Sequence, residues 1–143
     1  MSGLRSLKRL RAVARDVAEE AFARRLAELR LAEELLRRAT ARWASQRTRL
    51  WDRAEDRLSE LDHGTAGSTA LHARHESRLR GELEALAFGR DVARRELAAR
   101  SGRTDRARDA LARAEASLAV LERLLERRAV EAERRRTRRG DEP

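Results

Sequence analysis

An unbroken heptad pattern between Leu79 and Ala132 constrains this chain more than any other feature. Apolar residues recur at alternating steps of four and three, which keeps one stripe of an α-helix against a partner helix. The sixteen positions, called the seam below, are Leu79, Leu83, Leu86, Arg90, Ala93, Leu97, Arg100, Thr104, Ala107, Leu111, Ala114, Leu118, Leu121, Leu125, Arg128 and Ala132. The pattern predicts a coiled coil with an extended surface rather than a globular core with a pocket.

Composition supports a helical reading. Ala, Leu, Arg, Glu and Lys supply 99 of the 143 residues, and the one proline is Pro143. Disulfides and cysteine-based zinc sites are excluded because there is no cysteine. No apolar run approaches the ~20 residues of a membrane-spanning helix, and the start of the chain lacks a secretory signal. We therefore expect a soluble, cytoplasmic protein.

Turn-forming residues cluster at one place inside the chain, the segment from Asp62 to Ser68. Gly64 or Gly67 can end the first helix in the left-handed conformation, and Ser68 or Thr69 can cap the second. The predicted fold is all-α, a long antiparallel two-helix coiled-coil hairpin in one domain. The predicted parts are helix 1 at about 4–61, a turn at 62–68, helix 2 at about 69–137 and a charged tail at 138–143.

The first arm has a seven-residue stripe of its own, and folding back about Thr65-Ala66 makes paired residue numbers sum to about 131. The stripe consists of Phe22, Leu29, Leu36, Trp43 and Leu50, flanked by Leu26, Ala32, Ala39 and Ala54. Nearer the start, Leu7, Leu10, Ala14, Val17 and Ala21 form a stripe in a shifted frame. This shift predicts a local stutter in the supercoil. Trp43 and Trp51 are expected to pack against the seam, with Trp51 beside Leu79.

Polar seam positions predict a weak point in the middle of the hairpin. Leu29 is expected to face Arg100 and Thr104, which flank Ser101 and Gly102. A glycine inside a helix costs ~1 kcal/mol relative to alanine. We therefore expect a bend or local fraying of helix 2 near Gly102.

The net charge of +9 is concentrated at the two chain ends. Residues 1–15 carry five basic and no acidic side chains, and residues 127–139 carry seven arginines against two glutamates. The hairpin brings these segments together, whereas charges between them are nearly balanced and are expected to form a solvated face.

The sequence predicts neither a metal site nor an enzyme. His72, His75 and Glu76 share a helix face, but no third ligand is fixed and a two-ligand site is weak. No serine or carboxylate pair has a base placed to activate it, and a two-helix structure lacks the dry cleft that shifts catalytic pKa values. No cofactor is expected.

Sequence near both ends resembles one family. The chain opens with Leu4-x-x-Leu7-x-x-Leu10 among basic residues, and the segment from Ala114 to Glu131 includes Leu121-Glu122-x-Leu124-Leu125-Glu126-Arg127-Arg128. A charged tail ends in Asp141-Glu142. This pattern resembles the FliJ/YscO family, the central-stalk proteins of flagellar and virulence-associated type III secretion. Arg134 to Arg139 departs from it, because such proteins often carry more acidic residues there.

The resemblance implies a non-enzymatic stalk that inserts into the hexameric export ATPase and couples it to the export gate. Its implied place is the cytoplasmic face of a membrane-embedded apparatus, peripheral to the membrane through partners. Implied partners are the ATPase, an export-gate protein and export chaperones. We expect contacts with acidic partners at Arg5, Lys8, Arg11, Arg15, Arg128, Arg135 and Arg138.

Two other functions remain open. The basic end could bind nucleic acid or another anionic surface, although it lacks interleaved aromatic residues for base stacking. Alternatively, the chain could be a scaffold that dimerises through apolar residues outside the seam, such as Leu31, Leu35 and Leu124.

Overall fold

The computed structural model describes residues 2–60 and 66–140, apart from the side chains of Ser2 and Glu60. It contains two α-helices, α1 (Ser2–Glu60) and α2 (Ala66–Gly140), and no strand within the described residues. Both helices consist largely of strong helix formers without an internal proline, so the backbone is not interrupted. The fold is the predicted all-α two-helix hairpin.

The hairpin divides into two units. The terminal unit contains residues 2–27 of α1 with residues 102–140 of α2, and the middle unit contains residues 28–60 and 66–101. In the terminal unit, Lys8 contacts Glu122 and Thr104 contacts the backbone of Arg25. Early residues of α1 therefore pair with late residues of α2, which makes the helices antiparallel.

The middle unit has the same antiparallel pairing. Arg100 donates a hydrogen bond to the backbone oxygen of Glu28, and Gln46 donates one to Glu82. Arg57 bonds Glu76 nearer the end of α1. These pairs agree with the predicted register.

The predicted seam is the shielded face of α2. Leu79 and Leu118 are buried, Thr104 is fully buried, and every other seam residue except Arg128 is half-buried. In α1, the predicted stripe from Phe22 to Leu50 is also shielded, with Ala32 buried. Burial of these side chains from two helices forms a narrow core, the main source of stability in a coiled coil.

The predicted stutter near the start of α1 is wrong. Leu4, Lys8, Arg15, Ala18 and Phe22 are half-buried, and they continue the frame of the later α1 stripe. The shifted stripe lies outside this frame, so Leu7, Leu10, Ala14 and Val17 are exposed and only Ala21 is half-buried. The reason is cooperative: one register that satisfies the long apolar stripes of both helices leaves the short stripe uncovered.

Helix α2 differs from its predicted bounds at both ends. Helix α2 begins at Ala66, so Gly67, Ser68 and Thr69 are helical. Gly67 is not in the left-handed conformation, and neither Ser68 nor Thr69 is the N-cap. Residues 62–65 of the predicted turn, including Gly64, and residue 61 at the predicted end of helix 1 lie outside the described residues. Helix α2 extends to Gly140, which includes the start of the predicted tail.

Of the bend or local fraying predicted near Gly102, fraying is absent, because helix α2 is continuous through Ser101 and Gly102. The predicted placement of Trp51 is wrong. Trp51 is 61% exposed and therefore does not pack against the seam, whereas the seam residue Leu79 is 7% exposed. Trp51 is eight residues after Trp43 and therefore falls one residue beyond the shielded position Leu50.

Candidate partner-binding surface

Basic residues from both ends of the chain lie in the terminal unit. The segment 2–15 of α1 carries Arg5, Lys8, Arg9, Arg11 and Arg15 without an acidic residue. The segment 127–140 of α2 carries seven arginines and two glutamates. We call these two segments the basic end. The last turn of α2 includes Arg138 and Arg139, where positive charge complements the helix dipole.

Two of the seven predicted binding residues are engaged within the chain. Lys8 Nζ lies 3.3 Å from Glu122 Oε1, a pair that joins the two helices. Arg15 donates hydrogen bonds of 3.1 and 2.7 Å to Asp16 Oδ1. This bonding and the charge of Asp16 raise the pKa of Arg15, and Glu19 and Glu115 add to the effect. Arg15 therefore stays charged, but its guanidinium is partly occupied.

The other five predicted residues present exposed charge. Arg5, Arg11, Arg128, Arg135 and Arg138 are all exposed. They form no salt bridge with another residue in the described part of the chain. An anionic partner would not have to displace an intramolecular carboxylate to reach them. These five, rather than all seven, form the accessible part of the predicted surface.

The end of α2 has no enclosed site among its described residues. A surface depression there is lined by Arg128, Glu131, Ala132, Arg135 and Arg139, with Arg136, all from this one helix. Arg136 also lies 3.8 Å from Glu133, one turn away. Because a single helix surface cannot surround a small molecule, this arrangement suits a macromolecular partner.

Side-chain hydrogen bonds join α1 to α2 at polar positions that the apolar heptad pattern does not explain. Thr104 Oγ1 donates a 3.1 Å hydrogen bond to the backbone oxygen of Arg25, and Arg100 donates one of 3.1 Å to that of Glu28. In the sequence, Arg100 and Thr104 stood out as polar seam residues, but as a weak point of the hairpin and not as hydrogen-bond donors to α1. Gln46 donates a 2.8 Å bond to Glu82, but nothing in the sequence singled out this pair.

Two arginines approach the ring of Trp43. The guanidinium carbon of Arg90 is 4.0 Å from the centre of the Trp43 ring, and that of Arg47 is 5.3 Å away. Arg90 Nε is buried without a hydrogen-bond partner in the described structure. The cation–π contact with Trp43 offsets part of the cost of burying the Arg90 guanidinium, since such contacts strengthen when they are shielded from water.

Within the described residues, His72 and His75 belong to no metal-binding cluster. His72 and His75 are half-buried, while the buried Glu76 accepts a 2.8 Å hydrogen bond from Arg57 Nη1. Among the residues with described positions, no group of three or more His, Asp or Glu side chains could hold a metal ion. Glu76 therefore serves in an ion pair that joins α1 to α2.

Neither described helix contains a stretch apolar enough to cross a bilayer. Comparison with known proteins adds no assignment: no family model, no curated protein and no solved structure matches this chain. Inferences about function therefore depend on the residues and their geometry.

Proposed function

We propose that this chain is a non-enzymatic central-stalk component of a type III protein export apparatus, flagellar or virulence-associated. It inserts its basic end into the hexameric export ATPase and couples that ring to the export gate. The observation that carries the proposal is the set of exposed arginines from both chain ends within one antiparallel helical unit. Such charge suits the acidic surface of a protein partner.

A second feature suits a stalk in a ring. Two helices present different side chains around their circumference: Glu115 and Glu122 lie on one flank of the terminal unit, and Arg113 and Arg127 lie on the other by heptad position. Six identical ATPase subunits around this surface would meet six different environments. Their nucleotide sites would then become inequivalent, which is a coupling free energy supplied without a catalytic residue.

The test is stimulation of the export ATPase encoded by the same genome. The parent chain is expected to bind the hexamer and raise its ATP hydrolysis rate. Charge reversal by Arg11→Glu together with Arg135→Glu should weaken binding at least about tenfold, because both exposed cations then repel an acidic surface. Binding is measured by sedimentation, and ATP hydrolysis by phosphate release.

A matched control separates location from net charge. Arg30→Glu with Arg74→Glu makes the same change in charge at exposed residues of the middle unit. The control should retain binding and stimulation. Equal losses in the two double variants, or a parent chain that leaves the ATPase unchanged, would contradict the proposal.

Nucleic acid is the second candidate partner, because the exposed arginines of the basic end also suit phosphate groups. Binding to duplex DNA would weaken with salt by about one logarithmic unit of affinity per phosphate contact for each tenfold increase in salt. Retention on a DNA column at ~0.2 M salt, lost in the Arg11/Arg135 double variant, would favour this function over the stalk.

A further inference from the structure

An exposed apolar stripe runs along one flank of the terminal unit. Leu10 is 66% exposed and Val17 is 59% exposed, and Leu7 and Ala14 lie beside them on α1. On α2, Val120 is 64% exposed and Leu124 is 37% exposed. We call these six residues the flank stripe. None of these six residues belongs to the shielded stripes that pair α1 with α2. Their exposed apolar surface can therefore be buried against another molecule.

The register places both parts of the flank stripe on the same side of the helix pair. Leu7 and Leu124 fall directly beside the seam and opposite each other in an antiparallel pair. The equivalent positions in the middle unit support this geometry. Leu35 lies four heptads after Leu7 and Gly89 five heptads before Leu124, and both line one groove between α1 and α2.

The spacing of the stripe indicates what shape of partner fits. Leu7, Leu10, Ala14 and Val17 follow one another by steps of three, four and three. This is the repeat by which one helix packs along another in a supercoil. A third helix along the flank stripe could therefore follow α1 for about three turns and meet Val120 and Leu124 of α2.

Charge on this flank indicates the chemistry of the partner. Arg113 and Arg127 lie next to the flank stripe on α2 by heptad position, Arg106 lies farther along the same flank, and all three are exposed. Acidic residues of the terminal unit fall mainly on the other flank, where Glu122 pairs with Lys8. A helix with acidic side chains next to its apolar positions would complement both the stripe and its arginines.

We infer that the flank stripe is a docking site for an acidic amphipathic helix of another protein, which completes a three-helix contact with α1 and α2. The flank stripe borders two of the five exposed arginines assigned above, since Arg11 lies one turn from Leu7 and Ala14, and Arg128 lies one turn from Leu124. The inference does not rest on the proposed function. A second copy of this chain is a poorer occupant, because the same face would bring Arg106, Arg113 and Arg127 against their own counterparts.

The test uses a synthetic helical peptide of about three heptads. Leu occupies the apolar heptad positions of the peptide, and Glu occupies the positions that flank them. A second peptide carries Lys in place of Glu. Fluorescence anisotropy with the full chain should show micromolar binding of the acidic peptide and at least about tenfold weaker binding of the basic one. Absence of binding by the acidic peptide, or equal binding of both, would overturn the inference.

Two variants of α1 locate the site. Leu10→Glu puts a negative charge within the stripe and should weaken the acidic peptide at least about tenfold. Leu58→Glu is the matched control, because Leu58 is 69% exposed and lies on α1 in the middle unit, outside the flank stripe. It makes the same change of residue many turns along α1 from Leu10 and should change affinity by less than about twofold. Equal weakening by both variants would show an effect of net charge alone.

Further measurements address other occupants of the stripe. Sedimentation velocity of the parent chain should show a monomer in the micromolar range. Self-association that Leu10→Glu abolishes would identify a second copy as the occupant and overturn the inference. Flotation with anionic phosphatidylserine vesicles should show no binding that depends on Leu10, and such binding would assign the stripe to a lipid surface instead.

Discussion

The first helix behaves differently in the two units. In the middle unit its apolar heptad stripe, including Leu29, Leu36 and Leu50, faces α2 and is shielded. In the terminal unit the shielded frame contains Lys8 and Arg15, and the apolar residues Leu10 and Val17 face outward. Local apolar patterning therefore does not decide which face of a helix is covered. The register that the longer stripes impose decides it, and an uncovered stripe becomes a surface for other uses.

The largest effect is expected when a shielded and an exposed leucine of α2 in the terminal unit are each replaced by alanine. Leu118→Ala should lower the free energy of unfolding by about 2–3 kcal/mol, because Leu118 is 8% exposed within the seam. Leu124→Ala should lower it by less than about 1 kcal/mol, because that side chain is outside the seam. Urea denaturation followed by circular dichroism provides both values. Similar losses would mean that Leu124 is as buried as Leu118.

A second test compares the ion pairs that join the helices. Glu76→Gln should cost about 1–2 kcal/mol, because the side chain of Glu76 is 9% exposed and is bonded to Arg57. Glu122→Gln should cost less than about 0.5 kcal/mol, because its pair with Lys8 is solvated. High salt should remove the smaller effect and leave most of the larger one. Denaturation at two salt concentrations would reveal a reversed order if the terminal unit held the stronger pair.

A third test concerns the glycine at the boundary of the units. Gly102→Ala should raise the free energy of unfolding by about 0.5–1 kcal/mol, since the residue is helical and an added Cβ would meet only Arg106 Nη1, at 3.8 Å. Gly81→Ala is the control in the middle unit, where a Cβ would meet nothing within 4 Å. Equal gains are expected. A loss at Gly102 alone would show that this position needs glycine.

The smallest expected effect tests the exposure of the flank stripe directly. Leu10→Ser should change the free energy of unfolding by less than about 0.5 kcal/mol, because Leu10 is 66% exposed. The shifted frame predicted from the sequence would instead bury Leu10 and make this substitution cost about 2 kcal/mol or more. Thermal denaturation distinguishes these outcomes, with Leu118→Ala as the comparison for a buried leucine.

Much of the fold could be predicted because the information is repeated along the chain. The seam of α2 carries an apolar residue at twelve of its sixteen positions, so individual polar positions such as Arg90 and Thr104 do not obscure the repeat. The turn was harder to bound. Gly67, Ser68 and Thr69 are typical of turns, yet they are helical here, because weak local preferences yield to continuation of α2.

The candidate surface was predictable in part. Charge alone identified Arg5, Arg11, Arg128, Arg135 and Arg138, all of which are exposed. It could not show that Lys8 pairs with Glu122 or that Arg15 bonds to Asp16. Those contacts depend on side-chain direction and on the neighbouring helix, and neither is contained in a count of charges.

The sequence by itself determined that two amphipathic helices pair antiparallel, because repeated burial of Leu and Ala in one register outweighs isolated polar substitutions. Only the tertiary structure decided which face of α1 is covered near Leu10, and thus that the flank stripe is exposed. The physical reason is that a helix can present several apolar faces, but α2 can cover only the one that the shared register brings to it.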